Sequence, residues 1–261
     1  MSSEIMSLEM DVFCLLSVIR ILYQMYINRE QNDHWNNFYH TIAWACVYLF
    51  MDAIWIMNVK HLLTFSKIQS GIFNSFYFCS LAMLVCSWYV YAQKTLHSAV
   101  LKDKKILALT FIPLIFFIGS SLLSYWTHGL FVIDQTGNYN RSKLLPFYFL
   151  ILFAYILYLS IKAGFLSKKA KNYLYQKEYK VIARFSFLPF IMALIQMTVD
   201  HLRIFNLGLT YSIFIVYNYF QQNLISLDPL TKINNREQLD IYLTMKMKEN
   251  HQTTMIVLFV K

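Results

Sequence analysis

The chain has 261 residues, of which 57% are hydrophobic and 14% charged, with 22 Phe, 19 Tyr and a net charge of +9. Soluble domains contain roughly half apolar and about a quarter charged residues, and the mean hydropathy here is +0.43. A chain of this size cannot hide so much apolar surface in a water-bounded core. The composition therefore excludes a wholly soluble fold and predicts an all-α membrane protein.

Seven windows are long and apolar enough for spanning helices, since a span needs about 20 apolar residues. They lie at 9–28, 38–58, 72–93, 105–125, 146–166, 183–203 and 206–226. The first eleven residues, MSSEIMSLEMD, lack the basic region of a cleavable signal peptide, so we expect the first window to remain as a span. Pro113 and Pro189 fall within windows four and six. The turn-prone pieces DQTG and GNYN between windows four and five predict a short hairpin.

The distribution of positive charge predicts the orientation in the plasma membrane. Loops one, three and five, with the adjoining ends of the windows, contain twelve Lys and Arg residues, whereas loops two, four and six, with theirs, contain five. The positive-inside rule then places the amino terminus outside, and seven crossings place the carboxyl terminus in the cytoplasm. Because anionic headgroups account for the basic loops, no nucleic-acid partner is expected.

Ionisable residues at membrane depth are costly, so each indicates either a structural pair or a functional site. Arg20 in window one and Asp52 in window two differ in depth by roughly 8 Å, which an arginine side chain can span as an ion pair. A second interpretation is a pocket open to the outside that binds a small polar or cationic ligand. Its lining would be Asp52, Trp55, Asp200, His201 and Arg203.

Tryptophan and cysteine have structural interpretations. Trp35, Trp88 and Trp126 lie near window ends, as is typical of an interfacial aromatic belt. The four cysteines lie inside apolar windows with no CxxC motif, so we expect packing residues and neither a zinc site nor a disulfide.

A polar segment, LDPLTKINNREQLDIYL, follows the last window. Asp228 before Pro229 is typical of a helix start, and Asn235 begins an amphipathic helix with Leu239 and Leu243 on one face. The run MIVLFV at 255–260 predicts a buried strand. A helix, a turn and a buried strand are the opening of an α/β domain.

The segment DPLTKINNREQLDIYL resembles the entry motif of GGDEF domains, the diguanylate cyclase family, whose usual form is D-x-L-T-G-L-x-N-R. Lys232 and Ile233 stand where the motif has Gly and Leu. The upstream region is similar to the seven-helix membrane sensors that precede GGDEF domains in Gram-positive bacterial proteins. Its external stretch FVIDQTGNYNRSKLLPFYF shares that likeness, although Ser142 and Lys143 replace the usual Gly and Pro. The matching motif residues are Asp228, Leu230, Thr231, Asn235 and Arg236.

The resemblance implies a seven-transmembrane sensor region at 1–226 and the first helix and strand of a GGDEF domain at 227–261. Members of the family bind GTP and Mg²⁺ across a homodimer, on acidic residues of the first strand and of the GGDEF turn. Neither position is present in this sequence. Phosphoryl chemistry then has no carboxylates for the metal, so we expect a truncated, inactive cyclase-like chain without catalytic, cofactor or metal residues.

The expected function is signal input to cyclic di-GMP signalling. The five motif residues would couple the helix of window seven to the GGDEF-like segment. In the family, the Asp and Arg of the motif form a pair, and the corresponding residues here are Asp228 and Arg236. The alternatives are a non-catalytic membrane receptor or interaction protein, and a transporter. The expected partners are the lipid bilayer, a small extracellular ligand and a second copy of the chain.

Overall fold

The computed structural model describes residues 2–27, 33–59, 62–135, 137–170, 173–198 and 204–225. These residues form seven α-helices, a 3₁₀ turn at Ala99–Leu101 and a two-stranded hairpin. The helices are α1 (Ser2–Ile27), α2 (Asp33–Val59), α3 (Lys67–Thr95), α4 (Lys104–Thr127), α5 (Leu145–Lys169), α6 (Tyr173–Thr198) and α7 (Phe205–Ile225). The chain divides into two units, Met1–Val216 and Tyr217–Lys261.

The predicted helical architecture is confirmed, and the described residues of each of the seven windows lie in a helix. Helices α1 to α5 are long and apolar enough to cross a membrane, as in an integral membrane protein. Helix α6 begins ten residues before its predicted window, and this added segment contains Lys177, Glu178 and Lys180. Pro113 and Pro189 lie inside α4 and α6, as predicted. The predicted boundary at 226/227 and the whole GGDEF-like segment lie outside the described residues.

Side-chain caps fix the beginnings of two helices. Ser66 and Gln69 form a reciprocal capping box at the start of α3. The carboxylate of Asp103 accepts hydrogen bonds from the backbone N–H groups of Lys105 and Ile106, at 2.8 and 3.4 Å, at the start of α4. These caps satisfy backbone donors that the first helical turn leaves without partners.

Helix α3 is the central helix of the first unit. It packs against α2, α4, α5 and α6, while α1 packs on α2 and α6 on α5. Of the α3 span 56% is buried, against 17% for α4 and 22% for α5. At Gly71 the backbone of α3 lies so close to Tyr125 of α4 that an added Cβ would be 2.3 Å from the ring carbon Cδ2.

Large apolar side chains cover the outer faces of the helices. A water-bounded protein could not expose them on so many helices without aggregating, whereas lipid tails solvate them at no cost. They include Leu16 and Ile19 on α1, Leu109, Ile112 and Ile115 on α4, and Phe147, Leu150 and Phe165 on α5.

The tryptophans predicted at the membrane interface separate into two kinds. Trp126 is 71% exposed at the end of α4, in agreement with an interfacial position. Trp88 is buried in the core instead, so its interfacial assignment is wrong. Its ring stacks on Phe185 of α6 with centroids 3.5 Å apart, and its Nε1–H donates to Ser186 Oγ at 3.3 Å. The side chain of Trp35 lies outside the described part of the chain.

The hairpin predicted between α4 and α5 is confirmed. Strand β1 (Phe131–Ile133) pairs antiparallel with β2 (Tyr139–Arg141), with Phe131 opposite Arg141. Gly137 has a φ of +86° in the connecting turn, a conformation that glycine adopts without strain. The hairpin is fastened to α4 by Ser124, whose Oγ accepts from the backbone N–H groups of Leu130 and Phe131 at 2.9 and 3.1 Å.

Candidate functional site

Three helices bring two carboxylates and an amide together in the interior. Asn206 of α7 donates from Nδ2 to Asp11 Oδ1 of α1 and to Asp52 Oδ2 of α2, at 2.7 Å in each case. Asp11 is 1% exposed, Asp52 2% and Asn206 6%. We call these three residues the polar triad. It joins segments of the chain that are up to 195 positions apart.

The triad is an electrostatically demanding arrangement. The two carboxylate oxygens bound by the same nitrogen are at most 5.4 Å apart, twice the 2.7 Å bond length. At an effective dielectric constant of about 20, two full negative charges at that distance repel by about 3 kcal/mol. The amide N–H groups offset part of this repulsion. The site therefore favours positively charged or hydrogen-donating groups.

An aromatic cluster of Tyr48, Trp55, Tyr77 and Tyr139 adjoins the triad. Tyr48 and Trp55 lie one turn before and after Asp52 on α2, so all three side chains project from the same face. Trp55 stacks on Tyr77 of α3 with centroids 6.3 Å apart, and Tyr48 contacts the same ring at 5.6 Å. The cluster therefore joins α2 to α3 on both sides of Asp52.

The hairpin completes the cluster. Tyr139 of β2 contacts Trp55 edge to face at 5.3 Å, and Phe131 of β1 stacks on Phe78 of α3 at 6.0 Å. Burial raises the pKa of Tyr139 to about 12, and nearby Arg141 offsets this rise only in part. Tyr139 is thus a neutral phenol that covers the aromatic cluster at the hairpin end.

Two of the five residues predicted to line an outer pocket belong to this site. Asp52 is in the triad and Trp55 in the aromatic cluster. Asp200, His201 and Arg203 lie outside the described residues, as do the motif residues Asp228, Leu230, Thr231, Asn235 and Arg236.

The structure places Arg20 and Asp52, which were predicted to form an ion pair, in different surroundings. Arg20 is exposed, whereas Asp52 is buried and level with Asp11 through their shared partner. Arg20 is nine residues beyond Asp11, which is about 13 Å along the helix and half a turn around it. The depth estimate failed because α2 packs with Asp52, rather than a residue nearer its centre, beside the start of α1.

The sequence reasoning missed Asp11 and Asn206. Asp11 lies inside the first apolar window, so the rule that ionisable residues in spans mark sites could have identified it. Asn206 is uncharged and stands at the first position of the seventh window, where polar residues are ordinary. No charge-based signal could have singled it out.

A second polar network lies at the other end of α3. Lys162 of α5 donates from Nζ to Gln93 Oε1 and to Ser98 Oγ, at 2.7 Å in both cases. Gln93 in turn donates to the hydroxyl of Tyr89 at 2.7 Å, and the Lys162 ammonium lies 5.6 Å from the ring of Tyr158. These contacts tie α5 to the last turn of α3. The acceptors are all neutral, so we interpret the network as structural.

Within the described ranges, no three His, Cys, Asp or Glu side chains are grouped as metal ligands. The triad offers two carboxylates and a carboxamide, which are hard oxygen donors. In comparisons with known proteins, no family model, no curated protein and no solved structure matches the chain.

Proposed function

We propose that the chain is the membrane signal-input region of a diguanylate cyclase-like protein, and that the signal is a small polar or cationic ligand received at the polar triad. The observation that carries the proposal is the placement of α7. Asn206 is the second residue of this helix and bonds to both carboxylates. The GGDEF-like motif begins at Asp228, three residues after the helix ends at Ile225.

The length of α7 suits transmission across a bilayer. Its 21 residues extend about 31 Å at 1.5 Å per residue, close to the roughly 30 Å hydrocarbon thickness. A shift of Asn206 relative to Asp11 and Asp52 would therefore move the whole helix. We propose that Asp228 and Arg236 fasten the entry turn of the output segment, so that this movement reaches it.

The proposed orientation follows the positive-inside rule over seven crossings. It places the hairpin and the triad at the external face and the GGDEF-like segment in the cytoplasm, where GTP is present. The five long apolar helices support the membrane location, and the charge difference between the loops supports the orientation.

A chimera tests the proposal. Residues 1–226 are fused to a complete diguanylate cyclase domain, and cellular cyclic di-GMP is measured by mass spectrometry. We expect Asp52→Asn to change the cyclic di-GMP level at least about threefold at an equal amount of protein in the membrane.

Asp103→Asn is the matched control, because asparagine preserves the helix cap and the residue lies outside the site. Equal cyclic di-GMP levels in Asp52→Asn and in the unsubstituted chimera would refute the proposed signal input.

A further inference from the structure

We propose that Lys162 and Ser98 form a binding site for the phosphate group of an anionic phospholipid, at the end of the bundle where α3 ends and α4 begins. This inference goes beyond the signalling role, since it requires neither the polar triad nor an output segment. It rests on a positive charge without a counter-charge, on hydrogen-bond donors without an acceptor, and on the apolar surface beside them.

The charge of Lys162 has no counter-charge in the described part of the chain. The ammonium contacts Gln93 Oε1 and Ser98 Oγ, both at 2.7 Å, and the ring of Tyr158 at 5.6 Å. All three partners are neutral. Lys162 is half-buried, and a cation that is partly removed from water without a paired anion costs free energy. An anionic ligand would therefore complete the surroundings of this side chain.

Two hydrogen-bond donors indicate the same kind of ligand. An ammonium has three N–H donors, whereas the acceptors of Lys162 among the described residues are two. Ser98 Oγ accepts from Lys162 and from the backbone N–H of Val100, at 2.7 and 3.3 Å. The hydroxyl hydrogen of Ser98 has no acceptor within the described ranges, although the residue is only 9% exposed. Since buried donors are rarely left unpaired, both donors are available to an oxygen from outside the chain.

A phosphate group matches these two donors. Charge-assisted hydrogen bonds from an ammonium to phosphate oxygens are short and strong, and one phosphate has oxygens enough to accept from Lys162 and Ser98 together. Gln93 holds the ammonium through Oε1, while its Nε2 donates to the Tyr89 hydroxyl at 2.7 Å. The lysine side chain is therefore positioned before a ligand arrives.

The position of Ser98 places the site at the depth of lipid headgroups. Ser98 is the N-cap of the 3₁₀ turn Ala99–Leu101 and lies three residues beyond Thr95, the last residue of α3. Charged residues follow at once, namely Lys102, Asp103, Lys104 and Lys105. Such residues mark where the chain leaves the hydrocarbon, and basic pockets between helices at this depth bind lipid headgroups.

An apolar stripe beside Lys162 favours a phospholipid over free phosphate. Tyr158, Ile161 and Phe165 are exposed on one face of α5, and Lys162 is next to Ile161 in the chain. An acyl chain would pack along this stripe while the phosphate meets the ammonium. Free phosphate would gain nothing from the stripe.

Binding would be tested on the full chain in neutral detergent by thermal unfolding at constant ionic strength. Dioleoylphosphatidylglycerol or dioleoylphosphatidylcholine is added at equal mole fraction; both have the same acyl chains and a phosphate, but only the first has a net negative charge. We expect phosphatidylglycerol to raise the Tm by at least about 3 °C more than phosphatidylcholine, with saturation, because a ligand of the native state stabilises it. Equal Tm values in the two lipids would overturn the inference. An equal rise with inorganic phosphate alone would assign the site to free phosphate and would also overturn it.

Variants locate the effect. Lys162→Gln should lose at least about half of the Tm difference between the two lipids, because the charge that selects the anion is gone. Lys168→Gln, at an exposed lysine of the same helix, should keep the difference. Equal losses in both variants would trace the lipid preference to general surface charge and contradict the site.

Ser98→Ala provides a second test that retains the lysine, and it decides the matter if Lys162→Gln does not fold. Loss of the hydroxyl donor should remove at least about a third of the Tm difference between the lipids. An undiminished difference in folded Ser98→Ala would show that the phosphate does not lie beside this hydroxyl.

Failure here is distinguishable from failure of the proposed function. The unfolding measurement contains no cyclase and leaves the polar triad unchanged, whereas the chimera reports cyclic di-GMP. Equal Tm values in both lipids remove the phospholipid site and leave signal input standing; a lipid-specific Tm beside an unresponsive chimera does the reverse.

Discussion

At the scale of single residues, close helix contacts and buried polar groups determine what the chain tolerates. Gly71 and Gly119 show how much the space around a helical glycine can differ, since Gly71 is closely packed and Gly119 is not. An added Cβ at Gly71 would meet the Tyr125 ring at 2.3 Å, whereas at Gly119 nothing lies within 4 Å. Local helix propensity is the same at both positions, so only packing separates them.

We expect Gly71→Ala to destabilise the protein by about 1–3 kcal/mol, because α3 and α4 must move apart or the ring must leave its position. Gly119→Ala is the matched control and should be neutral or stabilising by up to about 1 kcal/mol, since alanine favours the helix. Thermal unfolding in detergent would measure both. Equal effects of the two substitutions would show that the α3–α4 contact is looser than described.

Glu178 has a shifted pKa that makes the stability of the protein depend on pH. Burial raises its pKa to about 7, while the unfolded value is about 4.3. The native state therefore binds the proton more tightly than the unfolded state. This contribution to stability is complete below about pH 4, declines as the pH rises, and is lost above about pH 7.

We expect the wild type to lose about 1–3 kcal/mol of stability between pH 5 and pH 8 relative to Glu178→Gln, which has no charge to bury. The measurement is the Tm of both proteins across that range. Glu9→Gln, at an exposed carboxylate of α1, should retain the pH dependence of the wild type. Parallel pH profiles for Glu178→Gln and the wild type would show that Glu178 is well hydrated.

At the scale of elements, one hydroxyl attaches the hairpin to α4. Ser124 Oγ accepts from two buried backbone N–H groups, those of Leu130 and Phe131. Removal of the acceptor leaves both donors without a partner, at about 1–3 kcal/mol each. The hairpin holds Tyr139 against Trp55, so its attachment also affects the aromatic cluster.

Ser124→Ala should therefore speed hydrogen exchange at Leu130 and Phe131 by at least about tenfold. The buried Ser121 donates only to the carbonyl of Phe117 in its own helix, so Ser121→Ala should leave the hairpin amides unchanged. Amide hydrogen exchange, measured by mass spectrometry, would compare the two variants with the wild type. Unaltered exchange in Ser124→Ala would mean that the ring contacts alone hold the hairpin.

The helices, the hairpin and the site differ in how well the amino-acid sequence predicts them. Apolar windows and turn residues predicted the helices and the hairpin of the described residues, because long helices that face lipid are mostly apolar and turns require special residues such as Gly137; five of these helices are apolar enough to cross a membrane. The site was predicted only in part, through Asp52 and Trp55. Asp11 and Asn206 belong to it because of how α1, α2 and α7 pack, which no local pattern specifies. Trp88 was misplaced for the same reason, since depth along a helix does not reveal which face is buried.

At the scale of the whole molecule, the direction of insertion determines which parts could meet a signal and which could meet GTP. The charge asymmetry of the loops predicts that the hairpin is external and that the 3₁₀ turn after α3 is cytoplasmic. Gln135 in the hairpin and Lys102 beside the 3₁₀ turn are both exposed, which makes them suitable positions for labelling.

On a background without the native cysteines, Gln135→Cys should react with a membrane-impermeant maleimide in intact cells. Lys102→Cys should react only after the cells are permeabilised, because the predicted membrane separates it from the reagent. Labelling is read from the mass shift on a gel. The reverse pattern would invert the orientation and remove the basis for a cytoplasmic output segment.

The stacking of Trp88 on Phe185 has a practical consequence. An indole held face to face with a neighbouring ring, and hydrogen-bonded to Ser186, emits fluorescence at a wavelength that depends on that enclosure. Any rearrangement that parted α3 from α6 would let the emission move to the red. With the other four of its five tryptophans replaced, the protein would therefore report motion between α3 and α6 through Trp88 alone.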